Sequence, residues 1–140
     1  MMSFNEFEEK YNREHGRYLH LDDSELIDAW HRYFKDNAEV GDGATLCLWS
    51  DREAYTIIHR TPKSLTLRRC KAILDPNFKP EWVAGGFAGT VINQNEQSYT
   101  YEEDEKGRVI KAYWSEKYGR FRNGTCNIIP DRREWYDYNF

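Results

Sequence analysis

The spacing of apolar residues changes once along this chain, at Gly41, and that change decides what it can fold into. Before Gly41 the hydrophobic residues recur with the 3.6-residue period of a helix; after it they alternate with the two-residue period of a strand. Ser3 followed by Glu6 makes a capping box, and Phe4, Phe7 and Tyr11 give the first helix one apolar side. Gly16 stands where such a helix ends. A second helix is expected from near Asp22, with Glu25 as its capping-box partner. Its stripe is Leu26, Ile27, Trp30, Tyr33 and Phe34, and Asn37 lies at its end. Neither helix is long enough to stand alone, so both stripes need a surface to cover.

That surface must come from the strands. Ala44 to Trp49, Ala54 to His59 and Ser64 to Cys70 read as strands separated by the turns Ser50–Glu53 and Thr61–Lys63. Ser98 to Glu102 and Val109 to Trp114 flank the polar stretch Glu103–Gly107 and read as a hairpin. Gly119 and Asn123-Gly124 mark further turns, and Thr125 to Ile129 and Trp135 to Phe140 complete the strands. Strands this short and this closely punctuated, with no helices between them, exclude a parallel sheet. The expected fold is α+β: an N-terminal helical hairpin, residues 1–40, packed on a curled antiparallel β-sheet or small β-barrel, residues 41–140, the two forming one folding unit.

Charge is distributed unevenly over the 140 residues. Residues 1–40 hold ten acids and five bases, net −5, whereas Arg52 to Pro80 carries seven bases and two acids, net +5, within a chain of net charge −4. A basic face on an acidic protein still attracts phosphate, because local potential outweighs the total. Aromatic residues make up 16% of the chain, which excludes wholesale disorder. No apolar run approaches a membrane span, and the acidic amino terminus lacks the basic region of a secretory signal. A cytoplasmic location and no membrane partner are the expectation.

Most motifs for chemistry are missing. Cys47, Cys70 and Cys126 form no C-x-x-C pair, and their odd number argues against a disulfide framework. His15, His20, His31 and His59 have no zinc-site spacing and read as surface histidines, so no metal is expected. Gly85-Gly86-Phe87-Ala88-Gly89 lacks the lysine of a phosphate loop and reads as close backbone packing or a flap, to which Asn93 and Gln94 would add amide contacts. Ser50, Asp51 and His59 lie near one another in sequence, but without a nucleophile elbow. Glu102 to Glu105 reads as solvated charge. No enzyme activity and no cofactor are expected.

The aromatic surplus is the more informative feature, since Tyr and Trp suit surfaces where one side is apolar and the other meets polar groups. Trp135, Asp137 and Asn139 would face one side of a final strand, and Tyr136, Tyr138 and Phe140 the other. The candidate binding residues are Arg60, Arg68 and Arg69 for phosphate, with Trp49, Tyr136 and Tyr138 to stack and Asn93 beside them.

Gly41-Asp42-Gly43-Ala44-Thr45, Trp49-Ser50-Asp51-Arg52, Asp75 to Trp82, Gly85 to Gly89 and the ending Tyr136-Asp137-Tyr138-Asn139-Phe140 together resemble a family of small uncharacterised phage and prophage proteins. The resemblance covers about residues 40–140. It implies a phage setting, hence the bacterial cytoplasm, and brings no activity or site residue. Similar proteins often carry His and Cys after the glycine-rich run, where Thr90, Val91 and Ile92 stand here, so no metal or thiol role is implied. The resulting expectation is a non-catalytic binding protein whose basic, aromatic face receives nucleic acid or a nucleotide. The alternative is a protein-interaction module, such as a phage inhibitor of a host protein or an accessory factor, that uses the acidic helical hairpin. A homo-oligomer would use part of the aromatic surplus as interface.

Overall fold

The two periods become two layers in the computed structural model, which describes residues 1–84 and 89–139. Helix α1 spans Phe4–His15; Ser3 Oγ accepts the Glu6 N–H, and Gly16 ends the helix with φ 61°. Helix α2 spans Ser24–Asn37. Its capping differs from expectation: Asp23 is the N-cap residue, and its carboxylate accepts the His20 N–H instead of a helical one. Glu25 is drawn away to the Tyr11 hydroxyl and the Arg17 guanidinium. No helix among the described residues is long and apolar enough to cross a membrane.

The strands are β1 (Gly43–Cys47), β2 (Arg52–Thr61), β3 (Ser64–Arg69), β4 (Lys71–Leu74), β5 (Trp82–Val83), β6 (Thr90–Val91), β7 (Tyr99–Glu102), β8 (Val109–Ser115), β9 (Arg120–Asn123) and β10 (Cys126–Pro130). Six of them close an antiparallel barrel in the order β1-β10-β9-β8-β3-β2. Closure leaves no unpaired edge, which suits strands this short. A register shift in β2 between Ile57 and His59 adds the local bend that closure needs. Alternation aims Ala44, Leu46, Tyr55, Ile57, Leu65, Leu67, Ala112, Trp114, Phe121 and Ile128 into the barrel, where Phe34 and Ala38 of the helical segment join them. A second cluster of Phe7, Leu26 and Trp30 ties α1 to α2.

Two expected elements are different. Strand β7 pairs with β4, from Lys71↔Glu102 to Leu74↔Tyr99, and β8 pairs with β3 and β9, so the expected 98–114 hairpin is not formed. Gly107 shows why the intervening chain is bent: a Cβ there would collide with the Arg69 carbonyl. The carboxyl end is no strand either. It keeps one bridge, Arg52↔Trp135, and is otherwise bound by side chains, so its residues do not alternate between two faces. The glycine-rich segment at 85–88 and Phe140 lie outside the described residues.

His31 departs from the expectation of surface histidines. It is only 4% exposed on α2, and its pKa is lowered to about 4, chiefly by burial and then by the Arg120 charge, with Asp28 opposing. An unfolded histidine takes up its proton near pH 6.5, and the folded one does so only near 4. Folding stability is therefore expected to fall as pH drops from about 6.5 to 4. Urea unfolding at several pH values checks this, and His31→Gln should flatten that part of the profile.

Candidate nucleic-acid interface

The expected phosphate-binding arginines do not form one strip. Arg60 donates to the carbonyls of Ala38 and Thr61, closing the end of α2 where a cation suits the helix dipole. Arg69 makes a two-point pair with Glu134, both contacts at 2.7 Å, and also reaches the Ala54 and Cys70 carbonyls. Arg68 reaches Glu103 at 3.3 Å. Glu103 is thus no free solvated charge. The Thr56 hydroxyl, reinforced by the Arg68 and Arg132 guanidiniums, holds its carboxyl below the usual range against the opposing effect of partial burial.

The expected stacking residues gather elsewhere. Trp49, in the β1–β2 turn, is 91% exposed and borders a small cleft with Asp51, Arg52, Asn95 and Trp135. Tyr136 packs edge-on against Tyr138, which also meets Phe78. The tail carrying them is fixed through side-chain amides. Gln97 Oε1 accepts the Tyr136 N–H and Gln97 Nε2 donates to the Tyr136 carbonyl, while Gln94 Oε1 accepts the Tyr138 N–H. Tyr99 donates its hydroxyl to Gln97; its pKa is raised to about 12, first by burial and then by nearby Tyr138 and Glu134, so it stays a donor. Asn93 bridges the Lys79 carbonyl and the Glu81 N–H, occupying both ends of its amide. Ser50 and Asp51 precede β2 and His59 lies near its far end. At about 3.3 Å per residue that separates them by roughly 20 Å, far beyond hydrogen-bond reach.

What the barrel does present is the outer face of β3, β8 and β9. On β8 the inward set is Ala112 and Trp114, which leaves Val109, Lys111 and Tyr113 pointing out. Tyr113 is 60% exposed, and its cross-strand neighbours are Ser64 and Arg122. One row along, Lys111 lies opposite Thr66, which in turn faces exposed His59. In the β8–β9 turn, Tyr118 carries the Arg122 guanidinium 4.1 Å above its ring and Lys117 Nζ at 5.3 Å. Among the described residues, Lys63, Lys111, Lys117 and Arg122 pair with no carboxylate. No known family model, curated protein or solved structure matches the chain. The face therefore rests on its own geometry: cations without carboxylate partners around an exposed ring, on a sheet held by continuous strand pairing. Tyr113 and Lys111 were legible in the sequence: Lys106 to Arg122 carries six bases and one acid, net +5, a denser excess than that of Arg52 to Pro80, and Val109, Lys111 and Tyr113 alternate within it.

Proposed function

We propose that this chain is a non-catalytic binding protein that takes single-stranded nucleic acid across the outer face of β3, β8 and β9. Exposed Tyr113, set between cations that lack carboxylate partners, carries the reading. The ring offers a stacking platform that any base accepts, and Lys63, Lys111 and Arg122 offer charge to the backbone. The Arg122–Tyr118 contact keeps one guanidinium oriented at little entropic cost. Arg68 and Arg69 are answered by carboxylates and Arg60 by two carbonyls, so the phosphate role passes chiefly to Lys63 and Lys111, with Arg122 adding its charge while one of its nitrogens donates to the Thr125 carbonyl. The resemblance of residues 40–140 to small phage and prophage proteins supports a setting in the bacterial host cell.

A fluorescent single-stranded oligothymidylate, titrated by anisotropy, tests the assignment. Tyr113→Ala should weaken binding roughly fivefold to a hundredfold, since stacking on an aromatic contributes about 1–3 kcal/mol per base. Replacing Lys111 and Arg122 together by glutamate should lower the slope of log affinity against log salt by about 1.4, two phosphate contacts at about 0.7 each. Parental binding in both variants would refute the assignment. The exposure of Trp49 favours a second reading, in which the Trp49–Tyr136 end supplies the stacking surface for the nucleic acid. Loss of oligonucleotide binding in Trp49→Ala, with Tyr113→Ala unaffected, would move the nucleic-acid site to that end.

A further inference from the structure

The helical hairpin leaves a half-open cleft of about 680 Å³ against the barrel, within the usual size of small-ligand sites. Phe4, Ile27 and Trp30 form its apolar wall, facing Ile129 and Pro130 of β10. Arg52 and Arg133 stand at its barrel side, and neither pairs with a carboxylate among the described residues. Two carboxylates also line it: Glu8, 3.3 Å from His20 Nδ1, and Asp131, whose Oδ1 accepts the Arg132 N–H and which pairs with no cation among the described residues. His31 also lines the cleft. It is buried, and its Nδ1 has no hydrogen-bond partner among the described residues.

We propose that this cleft binds a small organic anion with a flat apolar body. Its carboxylate or phosphate lies against Arg52 and Arg133, and its ring lies against Phe4, Ile27 and Trp30. Guanidiniums suit either anionic group because their fork matches both. The site shares no residue with the β8 face, so the two assignments stand or fall separately.

Fluorescence titration of the full chain with anilinonaphthalene sulfonate, itself a flat apolar anion, reads the cleft directly. One saturable site is expected, displaced by adenosine monophosphate if a phosphate is preferred, or by indole acetate if a carboxylate is. Arg133→Ala, at an exposed position, should weaken the dye about tenfold by removing one charge-assisted contact. Ile27→Trp should block it by filling the cleft, with circular dichroism confirming that the variant is folded. Tyr113→Ala should leave dye binding unchanged. No saturable binding, displacement by neither competitor, or equal binding by folded Arg133→Ala would overturn the proposal.

Discussion

Phe34→Ala is expected to cost about 4 kcal/mol of stability, within the range for removing a buried phenyl ring. Phe34 is 0% exposed and meets the Phe121 ring edge-on at 5.9 Å, so one aromatic of α2 sits inside the cluster that the barrel strands build. Truncation would leave a cavity between elements too rigid to collapse, because the closed ladder fixes the strand positions. Near 4 °C per kcal/mol for a chain of this size, the melting midpoint should fall by roughly 15 °C. Tyr18→Ala, at an exposed position, should shift it little. Calorimetry checks both. A loss of less than about 1 kcal/mol at Phe34 would mean that the helices contribute little to the barrel's stability.

That contact also marks how far the sequence carried. Ser3 and Glu6, Gly16, and the alternation of Leu65 and Leu67 are local signals, and each produced the element it announced. Alternation tells which side of a strand is buried but not which strand lies beside it. The Tyr99–Glu102 strand therefore looked like the partner of Val109–Ser115, although it pairs with β4 instead. His31 was legible in part, since it stands four residues after Ile27 on the apolar side of α2, where burial follows from helical spacing.

The arginines show a second limit. A count over Arg52–Pro80 treats each cation as available, yet Arg69 is answered by Glu134, 65 positions away, and Arg68 by Glu103, 35 away. The helical stripe is covered as its spacing requires, because Leu26, Trp30 and Phe34 are buried against α1 and the barrel. Charge and aromaticity read from sequence measure what a surface has to draw on. Long-range pairing decides what is left on it.

Glu134→Ala is the other substitution expected to have a large effect. Its carboxylate receives both Arg69 nitrogens and also the Ala54 N–H at 2.8 Å, while its own N–H donates to the Tyr101 hydroxyl. Glu134 is largely buried, so alanine would leave a guanidinium and a strand N–H short of an acceptor. Breaking such a pair from one side costs about 3 kcal/mol, or roughly 12 °C here. Removing both partners, as in Arg69→Met with Glu134→Leu, should cost less than Glu134→Ala alone, because no unmatched charge stays behind. Because the pair anchors the tail, its loss should also speed exchange of the Trp135 amide, which donates to the Arg52 carbonyl at 3.0 Å. A double variant less stable than the single one would show that the side chains hold the tail by packing. Faster Trp135 exchange together with recovery in the double variant would show that one ion pair, formed across 65 residues, fixes the path that a strand was expected to take.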